Sequence, residues 1–254
     1  MIAAIRAIYK CLKPKIRRGR NGIAPCSIIT IVRWGTPIGG HQGAMELRSL
    51  RKGHNEMQHE RQEIGECVGL LWTWWRGDEL PELPVLPSSS PLFAAASHDV
   101  ETVAELLETT SEVIEKRLQE GQRAYLATVE TNPVAVGWSI TGQAGFGGGR
   151  KTFHVPVRNC YLYDFVTHPS WRGRGIYPCL MQDILRIESI ENERFWIIHH
   201  IDNTASEQGI RKAGFQRAGE IHELHDGSFV LFGTGDRASE GAKVLDMLVT
   251  LTYP

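Results

Sequence analysis

Between Pro91 and Gly233 the apolar positions change period repeatedly, from two to between three and four and back, the periods of strands and of helices. "PLFAAA" predicts a short strand. "DVETVAELLETT" carries Val100, Val103, Leu106 and Leu107 at helical spacing, with Ser97 or Asp99 as its cap. A second helix, "SEVIEKRLQEG", starts at Ser111 and stops at Gly121. "RAYLATVE" and "VAVGWSI" predict a hairpin about the turn "TNP". "TGQAGFGGGRKTFHVPV" reads as a flexible glycine-rich loop. "NCYLYDFVTH" reads as a strand whose alternation puts Tyr161 and Tyr163 on one face and Asp164 on the other. A helix from Pro178 to about Ile190 follows, then the buried strand "RFWIIHHI". "NTASEQGIRKAG" is a helix with an Asn cap and a Gly stop, and "FQRAGEIHEL" and "SFVLFG" are two closing strands. The pattern is that of an α/β (α+β) domain without internal repeats.

The region before Pro91 is less regular. "AMELRSLRKGHNEMQHERQEIGECVGLLWTWW" is expected to form one helix with an aromatic end, whose Trp72, Trp74 and Trp75 pack on the main domain, contact a partner or touch a membrane surface, packing being the preferred reading. "ELPELPVLPSSSP", Glu79 to Pro91, reads as a linker, because its prolines forbid a regular helix. The expected organisation is therefore a basic, partly helical or disordered extension over 1–78, a linker over 79–91, a domain over 92–235 and a C-terminal segment over 236–254. Met45 is a possible alternative start.

Charge and cysteine content narrow the classes. The formal net charge is -1, which argues against attraction of the whole protein to nucleic acid. Met1 to Arg20 is basic and free of acids, and no acid precedes Glu46. Residues 1–80 are thus a candidate for weak contact with a membrane surface or a partner. The 5 cysteines form no C-x-x-C pair, so reduced thiols and a cytoplasmic location are expected. No apolar run approaches the roughly 18 residues that a membrane span needs. No metal site is expected either. His54 and His59 stand five apart and miss the i, i+4 geometry of a helical zinc pair.

The chemistry concentrates in "HPSWRGRGIYPCLMQDIL". A Gly-x-Gly turn lets backbone N–H groups converge without Cβ obstruction. A helix start adds unpaired N–H groups and the positive end of the macrodipole. Arg172 and Arg174 add charge, and Pro178 sits where a missing donor costs least. This is an anion site suited to a phosphate or pyrophosphate. It is neither a dinucleotide fingerprint, whose third glycine would fall at Pro178, nor a P-loop, since no G-K-[ST] follows.

"FVTHPSWRGRGIY" resembles motif A of the GCN5-related N-acetyltransferase (GNAT) superfamily, R/Q-x-x-G-x-G/A, with Arg172 first, Gly175 fourth and Tyr177 in the normally small sixth position. "NTASEQGIRKAGF" resembles its motif B through Asn203, Ser206, Gly214 and Phe215. The order of elements from Pro91 to Gly233 agrees as well. The resemblance implies a mixed sheet splayed between the family's fourth and fifth strands, acetyl-CoA as co-substrate, and an amine acceptor. It implies that backbone groups at Val166 and Thr167 meet the pantetheine arm. It further implies that Arg172, Gly173, Arg174, Gly175, Ile176 and Tyr177 hold the pyrophosphate, with Asn203 near the pantetheine. The family's usual acid, a tyrosine on the helix after the fifth strand, is Ile210 here. Asp164, Tyr163 and His199 are the catalytic candidates in its place. The acceptor is a small-molecule amine, an amino sugar or a peptide amine, the chain a monomer or homodimer. A non-catalytic acyl-CoA-binding sensor or interaction module is the rival reading.

Overall fold

The structure, a computed structural model, describes residues 31–32, 65–83 and 92–251. Its strands are β1 (Ile31–Val32), β2 (Cys67–Trp75), β3 (Leu92–Ser97), β4 (Arg123–Val129), β5 (Asn132–Ile140), β6 (Gln143–Phe146), β7 (Lys151–His154), β8 (Asn159–Thr167), β9 (Arg194–His200), β10 (Gln216–Glu223), β11 (Phe229–Gly233) and β12 (Leu248–Leu251). The helices are α1 (Val100–Leu106), α2 (Ser111–Gln119), α3 (Ile176–Glu188), α4 (Thr204–Lys212) and α5 (Gly235–Val244). Ten strands form one sheet in the order β1-β12-β11-β10-β2-β9-β8-β5-β4-β3, and β6 and β7 form a separate hairpin. Two pairings are parallel, β8 with β9 and β11 with β12.

Local chemistry accounts for the helix starts. Asp99, not Ser97, caps α1, accepting from the Thr102 N–H at 3.0 Å and its hydroxyl at 2.7 Å. Gly121 follows α2 at φ +80°, the left-handed turn that a β-carbon disfavours. One sheet face packs α3 and α4 through Leu180, Met181, Ile184 and Ile210 against Leu162, Phe195 and Ile197. The other carries α1 and α2 over Leu126, Val136 and Trp138, then the β6–β7 hairpin and α5 over Tyr161, Trp196 and Leu231.

Beneath α3 lies a buried carboxylate. Glu188, 2% exposed, accepts from the Tyr125 hydroxyl, from Ser139 Oγ at 2.8 Å and from Asn192 Nδ2 at 3.1 Å. Arg123 pairs with it at 2.9 Å. Every lone pair is occupied, which is the condition for tolerating a charge in the interior.

The structure corrects the reading of the N-terminal region. Cys67–Trp75 are a strand, not the end of a helix, and the strand lies inside the sheet between β9 and β10. Leu70, Trp72 and Trp74 face α3 and α4, while Leu71 faces α5. A strand covered on both faces reads as a continuous apolar run, which fits the helical period as well as the strand period. The aromatic residues decide for the strand. Trp75 ends it between the guanidinium groups of Arg194 and Arg237, at 4.7 and 4.5 Å.

The supposed linker is also packed where it is described. Leu80 joins the core under α3, and the Pro81 carbonyl accepts from Gln182 Nε2 at 2.8 Å. Residues 65–83 thus belong to the same unit as those after them. So does the C-terminal segment, since α5 and β12 complete the sheet's far end. The remainder of 1–78, the prolines from Pro84 to Pro91, Met45 and the His54/His59 pair lie outside the described residues, apart from the two of β1.

Candidate active site

β8 and β9 pair from Asn159↔Arg194 to Leu162↔Ile197 and no further. Beyond that point β8 runs on to Thr167 and β9 to His200, so the sheet opens between them. The cause is a bulge. The β5–β8 ladder shifts register between Val136↔Val166 and Trp138↔Tyr163, and Asp164 takes φ +54°.

The bulge overturns the expected alternation. Asp164 does not face away from Tyr163. The Asp164 carboxylate pairs with Arg117 at 2.6 Å, and the same guanidinium lies 5.7 Å from the Tyr163 ring centre and 5.2 Å from that of Trp138. Tyr161 and Tyr163 do share a face and stack at 6.2 Å. With Arg117, Gln122, Gln143 and Ala144 they line a cavity of about 160 Å³. The Tyr163 hydroxyl donates to Gln122 Oε1, and burial pushes its pKa well up. The glycine-rich loop is the β6–β7 hairpin that walls this cavity, with Gly147, Gly148 and Gly149 all at positive φ in its turn.

Register settles which peptide groups face the opening. The His168 N–H donates to the Val134 carbonyl at 2.9 Å, so residues 166 and 168 turn their backbone toward β5. The groups of Phe165 and Thr167 point the other way. Val166 is therefore displaced from the expected set by one residue. The Thr167 carbonyl accepts from Arg172 Nε at 3.1 Å, which ties the following turn to the strand.

That turn has the expected shape. Gly173 and Gly175 adopt φ +76° and +81°, and Gly175 is the N-cap of α3. The N–H groups of Ile176 and Tyr177 precede the first intrahelical acceptor, Pro178 has none, and no acid lies in the first turn. A β-carbon at Gly173 would meet nothing within 4 Å, so the space above the turn is open. Arg174 lies over the Trp171 ring at 4.8 Å.

Tyr177 points away from this space. Its ring packs on Phe165 at 5.1 Å and its hydroxyl lies 3.2 Å from Ser206 Oγ on α4. Burial, offset in part by that hydrogen bond, pushes its pKa up to about 12. Asn203 caps α4, accepting from the Ser206 N–H at 3.0 Å. His199 lies on the α3–α4 face, opposite to Tyr163 and Asp164. Its ring is 6.2 Å from Trp72 and its Nδ1 is 2.8 Å from the His200 carbonyl. The three catalytic candidates are thus not brought together. Arg117, Gln122 and Gln143 were missed, because they reach the cavity from segments with no local motif.

A sheet opened at a bulge, a glycine turn feeding a helix at the opening, and helix–strand–helix–strand continuity across it define one architecture. The fold is that of the GCN5-related N-acetyltransferases. Relative to the order expected from Pro91 to Gly233, the described residues add β2 between β9 and β10, the β6–β7 hairpin, and α5, β12 and β1 at one end of the sheet. No protein-family model matches the sequence, and no curated protein does. Among solved structures, a GNAT-family acetyltransferase from Colwellia psychrerythraea is 14% identical, with a TM-score of 0.45 over 63% of this chain and 56% of that one. A GCN5-related N-acetyltransferase from Kribbella flavida is 15% identical, with a TM-score of 0.40 over 59% and 54%. An aminoglycoside acetyltransferase from a soil metagenome is 16% identical, with a TM-score of 0.36 over 48% and 85%. This chain spans just over half the length of the first of these. At such identity and overlap the fold assignment stands on the chain's own topology.

Proposed function

We propose that this chain is an acyl-CoA-dependent N-acyltransferase that moves an acetyl group to an amine of a small molecule, amino sugar or peptide. The observation that carries the reading is the coincidence of the β8–β9 opening with the open glycine turn at the start of α3. The Arg172 N–H is spent on the Pro169 carbonyl at 3.3 Å, so the N–H groups from Gly173 to Tyr177 would hold a pyrophosphate, with the side chains of Arg172 and Arg174 beside it. The peptide groups of Phe165 and Thr167 would meet an extended pantetheine arm as an added strand does. Bound acetyl-CoA supplies the thioester that an amine can attack.

The acceptor would enter from the opposite face, through the cavity of Tyr161, Tyr163 and Gln122. An amine arrives as an ammonium ion, and Asp164 is the carboxylate paired with Arg117, which lines that cavity. Exchange of Arg117 for the ammonium would draw the acceptor to the bulge, and water would carry its proton away. Tyr177, with a pKa of about 12, stays protonated at neutral pH. Full transfer of its proton to a thiolate of pKa about 8.5 is uphill by several kcal/mol, so its part would be a hydrogen bond to the leaving sulfur.

One observation favours the non-catalytic alternative. Ile210, which replaces the family's usual acid, is fully buried in the core under α3. The test is calorimetric titration with acetyl-CoA, followed by an amine panel read by free-thiol release. Saturable binding with turnover supports the transferase, and binding without turnover supports the sensor module. Absence of binding removes both.

A further inference from the structure

Three side chains of ligating type meet on the β2–β10 ladder. Cys67 stands directly across from His222, because the ladder skips Val68 between Gly69↔Ile221 and Cys67↔His222. Glu220 lies two residues before His222 and so shares its face. One ligand atom from each residue, the Cys67 sulfur, a carboxylate oxygen and a ring nitrogen, lies within 4.8 Å of the other two. All three residues are half-buried.

The hydrogen bonds around the imidazole define which atom is offered. His222 Nδ1 is 3.0 Å from the Gly65 carbonyl, which can only accept, so Nδ1 carries a proton. In the neutral ring Nε2 then presents its lone pair, 3.1 Å from Glu220 Oε2. Two lone pairs facing each other beside a thiol are reconciled by a cation between them. The outer contacts fit that role. A backbone carbonyl on Nδ1 is the partner that orients metal-binding imidazoles, and Arg217 donates to the other carboxylate oxygen of Glu220. The Gly65 contact is written into the sequence, since a β-carbon there would lie 1.6 Å from the Glu223 carbonyl oxygen. The His222 ring is further held by Phe232, at 4.6 Å.

We propose that Cys67, Glu220 and His222 bind one zinc ion, with a fourth coordination position open to water or to a ligand. A thiolate, an imidazole and a carboxylate suit zinc rather than calcium or magnesium. The thiolate and the carboxylate together balance its two positive charges. The proposal departs from the expectation of a metal-free chain, and it stands independently of the acyltransferase reading. Sequence spacing hides it, because the ligands come from strands far apart in the chain.

The test uses the full-length, reduced protein after exhaustive dialysis against chelator. Cobalt(II) is titrated in and then displaced by zinc. The expected result is a sulfur-to-cobalt charge-transfer band and visible tetrahedral bands saturating at one equivalent, abolished by zinc. Cys67→Ser should remove the charge-transfer band. Glu220→Gln, which preserves side-chain shape and guards against loss of folding, should weaken binding by at least about tenfold, since even outer-shell changes weaken metal sites that much. Far-UV circular dichroism confirms that each variant is folded. The proposal is overturned if no thiolate band develops, if the band survives Cys67→Ser, or if Glu220→Gln binds as tightly as the parent; the cluster would then be a His222–Glu220 pair beside a thiol that donates to the Gly69 carbonyl at 3.6 Å.

Discussion

Replacing Gly173 with alanine separates the cost of backbone strain from the loss of a cofactor contact. Gly173 sits at φ +76°, and a β-carbon built there meets nothing within 4 Å. Nothing in the protein opposes the methyl group, so the folded state loses only the left-handed strain, about 1–2 kcal/mol. For a domain of this size that lowers Tm by roughly 2–8 °C. Gly148, in the β6–β7 turn, is a matched control, at φ +69° with nothing within 4 Å of its own β-carbon. Gly148→Ala should lower Tm by the same amount. The two variants should differ in affinity for acetyl-CoA. At Gly173 the methyl group occupies the open space above the turn, where a pyrophosphate would be cradled. Loss of even one such contact, about 1.4 kcal/mol, is tenfold in Kd. Isothermal calorimetry on both variants reads the difference. Equal affinities for Gly173→Ala, Gly148→Ala and the parent would refute the assignment of the turn as the anion cradle, whatever the thermal shifts.

Other expectations follow from single contacts. Glu188→Ala leaves the Tyr125 hydroxyl, Ser139 and Arg123 without their shared acceptor and should cost about 3–5 kcal/mol in urea unfolding. Gly209→Ala would put a β-carbon 2.2 Å from the Tyr177 ring and should cost about 1–3 kcal/mol, an increment that largely disappears when the same change is made in a Tyr177→Ala background. Tyr177 has its pKa raised by burial to about 12, so the native state holds its proton longer than the unfolded state. Stability should fall as pH rises from about 10 towards 12, and less steeply in Tyr177→Phe. If Asp164 receives an ammonium acceptor, Asp164→Asn should raise KM for the amine about tenfold with a smaller change in kcat.

Apart from the β6–β7 hairpin, whose glycines read as a loop, the order of elements from Leu92 to Gly233 was legible because each carries its own local signal. Asp99 and Asn203 announce helix starts, Gly121 and Gly214 announce stops, and the strands between them alternate. Three things were not legible for physical reasons. The run around Trp72 is apolar on both sides of Thr73, so its period cannot distinguish a doubly covered strand from a helix. The bulge at Asp164 depends on how β8 pairs with β5, which no residue of β8 encodes alone, and it reversed the face assigned to Asp164. The Cys67, Glu220 and His222 cluster exists only because β2 inserts beside β10. The glycine turn was legible because its geometry is local: two glycines and a helix start within a few residues.

The two departures from the family motifs, Tyr177 and Ile210, are parts of one packing arrangement. A large residue at the sixth position of motif A would obstruct the helix start if its side chain rose over the turn. It does not, because the ring lies between α3 and α4, against Phe165 and the bare α-carbon of Gly209. The absence of a side chain at Gly209 makes room for the ring. A tyrosine on the next residue of α4 would have to share that space, and the buried Ile210 instead turns into the core beneath α3. The result keeps a phenol between α3 and α4 while moving its origin from α4 to α3. Its hydroxyl, held 3.2 Å from Ser206 Oγ, is directed to the first turns of α4, beside the cap made by Asn203. The cradle N–H groups of Ile176 and Tyr177 are untouched by the exchange, since they belong to the backbone. The helix-start N–H groups and the position of the phenol are thus set by different parts of this chain, and isoleucine at position 210 is by itself weak ground for reading the chain as catalytically silent.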